Sequence, residues 1–354
     1  MTPSRLSTLV LLAALAAAST TARAADLSVT PLGSFAGDGW LAPGEGGYGF
    51  LGTGNLERGL AFGNDQLYLV SRAGGINVRR LDASTGADLG GLDVTGIAGG
   101  TFAANMVGVA GDGAIYVGNL STAVDANFKV YRWDDNAATP TLAYDAAPGL
   151  ARLGDTFAVT GSGAGTRVAA SGSGTSGLAV IDPTAGTGTA VSAEGTAAGD
   201  FRLGLTWVDG DTVIGTQGAS IARVLDISGA TGTLVSSPAT SAASERLIGY
   251  NIVGGVSLLA TVDTVTSDVR IYDASDLSSL LLLTSVNATS GALAANGNGV
   301  GAVAWGPAMG NSANLYAMSA NQGIQAFVVT IPEPGTAPLL LLGAAFLFLR
   351  RRQG

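Results

Sequence analysis

The chain contains no cysteine and no histidine. Without thiols there are no disulfides, no thiolate nucleophile and no haem attachment. Without imidazole there is no Ser-His-Asp arrangement and no His-type zinc site. Positive charge is scarce as well: lysine occurs once, at Lys129, and all charged residues together make up 12% of the chain. Between residues 25 and 330, 12 basic residues stand against 25 acidic ones, a net charge of −13. Such a surface repels nucleic acid and anionic lipid, so DNA and RNA are not expected as partners. Helical periodicity is missing too, and no segment has the D-x-[DN]-x-[DN]-G form of a calcium loop.

What the chain does have is glycine, 54 of its 354 residues, within a composition that is 47% hydrophobic. Recurrent Val, Leu and Ile exclude a disordered polymer, and the glycine indicates many turns. Apolar and polar residues alternate in DQLYLVSR, NFKVYRWD and SDVRIYD, the period of a strand with one buried face. One pattern returns along the middle: an apolar residue, then Asp, then a small turn, at Asp82, Asp134, Asp182, Asp226 and Asp273. A period near fifty residues with several short strands per unit is that of propeller blades.

Five units of four strands can be cut from Arg58 onward, and a sixth, GVGAVAWG, LYAMSAN and GIQAFVVTI, is one strand short. A circular array must close, because an open edge invites aggregation. The segment Leu27–Phe35 is therefore expected to pair with Gly323–Thr330. The expected fold is all-β: a six-bladed β-propeller over residues 25–330, closed by the N-terminal strand, with seven blades or a pair of β-sandwiches as the alternatives. The blade pattern resembles the six-bladed propellers that include the NHL and gluconolactonase-like proteins. No catalytic motif carries over from that resemblance, and propellers host many unrelated activities.

Each candidate chemical feature has a plain structural reading beside it. An Asp after a strand accepts backbone N–H bonds two residues on, so the repeated aspartates are read as turn formers rather than as calcium ligands. Asp134-Asp135 and Asp209-Gly210-Asp211 are carboxylate pairs at strand ends, and Glu45 and Glu57 flank the Gly-rich loop Pro43–Asn55. Two carboxylates are the requirement of glycosidic cleavage, but at strand ends in turn-like surroundings a solvated hairpin is the default reading of both pairs. Gly172–Gly177 spells G-x-G-x-x-G, but a strand follows instead of the helix that a dinucleotide site requires. Trp40, Trp133, Trp207 and Trp305 suit sugar stacking. The equivalent positions of Trp207 and Trp305 suit repeated packing between neighbouring blades. The sequons at Asn119 and Asn287 are read as chance. No catalytic residue, metal or cofactor is assigned.

The two ends carry an address. Residues 1–24 read as a secretory signal: Arg5, an apolar run from Leu9 to Ala18, and Ala22-Arg23-Ala24 in the small-x-small form cut by signal peptidase. Residues 331–354 contain Ile331-Pro332-Glu333-Pro334, an apolar run from Ala337 to Leu349, and Arg350-Arg351-Arg352. The prolines stop a strand, and the arginines resist crossing a bilayer. This tail resembles the PEP-CTERM sorting signal. The resemblance implies export through the Sec translocon and a short transmembrane helix as transient inner-membrane anchor. It also implies recognition by an exosortase at Ile331–Pro334. The expectation is a non-catalytic cell-surface or matrix protein of an exopolysaccharide-producing bacterium, with polysaccharide as its candidate ligand. The alternative is a carboxylate- or calcium-dependent hydrolase or lactonase with acidic side chains converging at a channel mouth.

Overall fold

Strands supply nearly all the regular structure in the computed structural model, which describes residues 27–229 and 231–332. Helical pieces among these residues are two single turns of 3₁₀, Glu45–Gly47 and Gly163–Gly165. After β1 (Ser28–Pro31) and β2 (Trp40–Leu41) comes a first meander, β3 (Glu57–Gly63), β4 (Gln66–Ser71), β5 (Asn77–Asp82) and β6 (Asp88–Gly91). The second is β7 (Phe102–Val109), β8 (Ile115–Leu120), β9 (Phe128–Trp133) and β10 (Thr141–Ala146). The third is β11 (Thr156–Thr160), β12 (Arg167–Ser171), β13 (Gly177–Asp182) and β14 (Thr187–Glu194). The fourth is β15 (Gly204–Trp207), β16 (Thr212–Gly218), β17 (Ile221–Asp226) and β18 (Thr231–Ser236). The fifth is β19 (Glu245–Val253), β20 (Val256–Asp263), β21 (Val269–Asp273) and β22 (Leu281–Val286). Last come β23 (Gly301–Trp305), β24 (Ser312–Ser319) and β25 (Gly323–Thr330).

The first strands form an inner ring: β3 touches β7, β7 touches β11, and so on through β15, β19 and β23 back to β3. The arrangement is propeller-like, and the core follows from it. Instead of one central cluster there is a buried apolar layer between each meander and the next. Tyr68, Val70 and Val78 of the first meander meet Ile115, Val117 and Trp133 of the second, for example. Tyr116, Phe128 and Val130 of the second meet Phe157, Val168 and Ala170 of the third. Glycines in the inner strands permit this approach. A Cβ at Gly249 would lie 2.8 Å from a methyl of Val303 on the neighbouring β23. A Cβ at Gly59 would lie 2.7 Å from the backbone nitrogen of Val107 on β7.

The sheets depart in one respect from six separate units. The third and fourth meanders join into a single eight-stranded sheet, because β14 and β18 pair in parallel, Ser192 opposite Thr231 and Glu194 opposite Thr233. Gly232 makes that contact possible: a Cβ there would lie 2.8 Å from Leu225 and 3.1 Å from the Ser192 carbonyl.

The N-terminal segment closes the array, but over a shorter stretch than the expected 27–35: only Ser28–Pro31 pairs with the last strand, and residues 32–39 turn away before Trp40–Leu41 returns to it. β1 runs antiparallel to β25, with Ser28 opposite Thr330 and Pro31 opposite Phe327. β2 continues along the same strand, Trp40 opposite Gln325 and Leu41 opposite Ile324. The intervening excursion clamps the first meander: the Ala36 N–H donates to the Thr85 carbonyl at 2.9 Å, and the Ser34 hydroxyl to the Ser84 carbonyl at 2.7 Å. Phe35, fully buried, packs with Tyr316 and Leu81 between the last meander and the first.

Ala22, Ala24, Glu333, Pro334, the run 337–349 and Arg350, Arg351 and Arg352 lie outside the described residues. Of the sorting segment, Ile331 is buried, its N–H bonded to the Asn311 carbonyl at 2.8 Å, and Pro332 is exposed. No helix among the described residues is long and apolar enough to cross a membrane.

Candidate functional site

The inner strands all run in one direction around a channel, so their two ends define two mouths. At the C-terminal ends lies a cavity of about 420 Å³ to which every first strand contributes: Phe62, Val109, Thr160, Trp207, Asn251 and Trp305 are among its walls. Its lining contains no Asp, Glu, Lys or Arg, and Tyr250 is its single titratable side chain. Further in, Leu60, Met106, Phe157, Leu205, Leu247 and Ile248 narrow the channel to a space of about 50 Å³.

Trp207 and Trp305 occupy the equivalent positions expected of them, at the ends of β15 and β23. Each indole N–H donates to a backbone carbonyl of the preceding inner strand, Trp207 to Ala158 at 3.1 Å and Trp305 to Gly249 at 3.0 Å. They therefore tie neighbouring meanders together and also wall the cavity. The Arg167 guanidinium lies 5.1 Å from the Trp207 ring and covers it, while Trp305 is the more open indole. Trp40 and Trp133 are buried and bonded to the carbonyls of Gln322 and Asp93, away from the cavity. Around the aromatic wall the polar groups are anchored. The Thr206 hydroxyl accepts the Tyr250 N–H at 3.2 Å, the Tyr250 hydroxyl donates to Ser257 at 2.9 Å, and the Asn251 amide donates to the Gly306 carbonyl at 3.3 Å.

The repeated aspartates are turn formers. Asp82 Oδ1 accepts the N–H groups of Ser84 and Thr85 at 3.0 and 2.8 Å, together with both hydroxyls. The hydroxyl bond from Ser84, ahead of the other contacts, holds this carboxyl below the ordinary carboxylate range. Asp182, Asp226 and Asp273 accept from the N–H two residues on at 2.9, 2.8 and 2.9 Å. In the second meander the role falls one residue later: Asp135 accepts the Ala137 N–H at 2.7 Å, and Asp134 pairs with Arg132 at 2.8 Å. Asp209 closes the hairpin of Asp211 and Thr212, and Asp211 meets Arg167 at 3.2 Å. Neither carboxylate pair faces the cavity, and no group of three or more metal-ligating acids occurs among the described residues.

The remaining candidates are structural. Glu57 is 1% exposed and accepts the Gly52 N–H at 2.6 Å, and Glu45 accepts the Ala42 N–H at 2.8 Å. Together they brace the Gly-rich loop, whose Phe50 and Leu51 enter the layer between the last and first meanders. Gly177 opens β13, so a strand follows the G-x-G-x-x-G run. Asn119 is fully buried, its carbonyl accepting the Lys129 N–H at 2.9 Å, and Asn287 holds the turn of Thr289. Phe62, Thr160, Tyr250 and Asn251 were not legible as site residues. Each sits near the end of an inner strand, and no sequence spacing brings them together.

Residues 48–273 match the family model described as a domain of unknown function, DUF4623, and residues 330–353 match the PEP-CTERM protein-sorting motif. That motif marks an exported protein, anchored at its C-terminus until an exosortase cuts it. No curated protein matches the chain. Among solved structures, a DUF4623 family protein from Bacteroides eggerthii is 16% identical with a TM-score of 0.64, over 79% of this chain and 72% of that one. The Malassezia sympodialis allergen Mala s 1 is 14% identical with a TM-score of 0.48, over 77% and 91%. At these identities the likeness extends to the fold of the Bacteroides protein and no further.

Proposed function

The chain belongs to the DUF4623 family, and from that premise we propose that it is a non-catalytic binding propeller of the cell surface or extracellular matrix, with exopolysaccharide as its ligand. Counting each meander as one blade gives six blades, the eight-stranded sheet being two of them fused at their outer edges. Secretion runs through the Sec translocon, with signal peptidase cutting at Ala22–Ala24. The C-terminal segment is a transient inner-membrane anchor until exosortase acts at Ile331–Pro334.

The observation that carries the binding role is the uncharged cavity of about 420 Å³, walled by Phe62, Trp207, Tyr250 and Trp305 with Thr160 and Asn251 among them. Aromatic faces with a few fixed polar groups suit a neutral sugar ring. The carboxylate-dependent hydrolase requires acids converging at a channel mouth, and the walls of this cavity supply none.

The test is retention of the processed protein on matrix polysaccharide from the producing bacterium. Trp305→Ala is expected to weaken retention about tenfold, with circular dichroism confirming an intact sheet spectrum. Absence of retention on every matrix fraction, or retention indifferent to Trp305, would overturn the reading. Release of new reducing ends from the polysaccharide would favour the hydrolase instead.

A further inference from the structure

The opposite mouth, at the N-terminal ends of the inner strands, has the contrary chemistry. Five of the eleven arginines between residues 25 and 330 belong to segments at this end of the inner strands, Arg58, Arg72, Arg152, Arg202 and Arg246, and the charges of Arg58, Arg72 and Arg152 act on one another. Arg58 and Arg246 are the second residues of β3 and β19, and Arg152 and Arg202 stand just ahead of β11 and β15. Arg72 follows β4, its N–H bonded to the Leu56 carbonyl at 3.0 Å, which sets it beside the start of β3.

The acids available to these arginines are already engaged. Asp155 is gripped by the fork of Arg152 at 2.6 and 2.7 Å and also accepts the Ser173 N–H at 3.0 Å. Arg202 stands 3.9 Å from the same carboxylate, beyond hydrogen-bond reach. Glu57 accepts the N–H groups of Gly52 and Asn321, and Glu245 bonds Ala242, Thr261 and Tyr272 and faces Arg270 at 3.4 Å. Arg72 bonds Asn105 and lies over the Phe102 ring. Among the described residues, nothing hydrogen-bonds to the guanidinium of Arg58 or Arg246; the Nε atoms of Arg58, Arg72, Arg202 and Arg246 are buried without a hydrogen-bond partner, as are those of Arg79, Arg80 and Arg132 elsewhere in the fold. Burial first, and then the neighbouring charge of Arg58, push Arg72 down to about 9. The mouth thus holds guanidiniums against their mutual repulsion in a chain that is otherwise strongly acidic.

We propose that this mouth is an oxyanion site, taking a carboxylate or a tetrahedral phosphate or sulfate group presented along the channel axis, with Arg58 and Arg246 as its principal donors. A planar fork of N–H groups matches such oxygens two at a time. Gly299 lets the Arg246 side chain pack against the segment ahead of β23, since a Cβ there would lie 2.6 Å from the Arg246 Nη1. The apolar constriction separates this site from the aromatic cavity, so the proposal does not depend on the sugar-binding reading.

The experiment is thermal unfolding and calorimetric titration of the processed protein with sodium glucuronate, inorganic phosphate or sulfate, at constant ionic strength set by chloride, with glucose as the uncharged control. At least one oxyanion is expected to raise Tm by about 3–5 °C near saturation while glucose does not. A response to glucuronate alone assigns the carboxylate of an acidic sugar; a response to phosphate or sulfate alone assigns a tetrahedral group. The double variant Arg58→Gln, Arg246→Gln is expected to weaken binding about tenfold or more, and Arg80→Gln, outside the mouth, to leave it unchanged. Removing two like charges should leave the unliganded double variant at least as stable as the parent. Three outcomes overturn the site: no oxyanion response, an equal response in the double variant, or an unliganded double variant that melts below the parent.

Discussion

At the scale of single residues, the polar side chains of this protein mostly serve its own backbone. Asp82, Asp135, Asp182, Asp226 and Asp273 each close a turn after the third strand of a meander, and the indoles of Trp207 and Trp305 satisfy carbonyls of a neighbouring strand. Buried tyrosines give the clearest pH dependence. Burial foremost raises Tyr272 and Tyr316 to about 12, Tyr272 helped by its bond to the Glu245 carboxylate. Both hold their protons more tightly when folded than at the unfolded value of about 10. Their contribution is complete below that value and disappears as pH rises toward 12, roughly 2–3 kcal/mol for each. Tm is therefore expected to fall steeply between pH 10 and 12. The tyrosinate absorbance of these two rings should emerge together with unfolding; early titration of all eight tyrosines in the folded chain would contradict this.

At the scale of elements, closure depends less on β1 than on the excursion between β1 and β2. β1 is largely exposed, so its pairing chiefly protects the edge of β25. The anchorage comes from Phe35, held among Tyr316, Leu81 and Ile324. Phe35→Ala is expected to cost about 3–5 kcal/mol by chemical denaturation, as for a large buried ring. Val29→Ala should cost well under half of that, and equal losses would show that the excursion is not the clasp. The inner ring makes its own demand. Gly249→Val would drive methyl groups into Val303 and its carbonyl, with an expected loss of about 1–3 kcal/mol or more from overpacking. Gly210→Val, on an open hairpin with nothing within 4 Å, should change little.

At the scale of the whole molecule, topology brings five arginines to one end of the channel, while acids occur on both faces, Glu57, Asp155, Asp200, Glu245, Asp263 and Asp268 on the arginine side. Hairpins between first and second strands and turns between third and fourth share the face of the aromatic cavity, and they carry Asp65, Asp82, Asp135, Asp182, Asp209, Asp226 and Asp273. The arginine mouth opens on the other face. β25 runs parallel to β23, so Ile331 leaves the fold on the face of the aromatic cavity. Six residues separate Thr330 from the apolar run at Ala337, seven steps spanning at most about 25 Å of extended chain. Before exosortase cleavage the arginine mouth is therefore expected to point away from the membrane. The absence of native cysteine makes this measurable with an impermeant maleimide. In the anchored precursor, Gly297→Cys on the arginine face should label several times faster than Gly210→Cys, and the two should converge after release. Equal rates in the precursor would refute the orientation.

The local signals were sufficient for the strands. Alternation placed the strands of every meander, the recurrent Asp marked their third-strand turns, and the single missing strand pointed to residues 27–35 as the closing element. Those are short-range properties: period two, Asx chemistry and an unpaired edge are written within a few residues. The absence of cysteine and histidine likewise excluded whole classes of chemistry without any coordinates. Only the tertiary structure decided the rest. The fusion of the third and fourth meanders depends on Gly232 meeting Ser192 across two units, and Asp134 differs from Asp135 only in which of them reaches the turn N–H. Trp207 and Asn251 share a wall because ring closure aligns the ends of their strands. Arg58, Arg72, Arg152, Arg202 and Arg246 are scattered singly along the sequence and resemble solvated surface charges. They become one mouth because parallel inner strands begin on one face, a property of the closed ring that no segment of the chain carries alone.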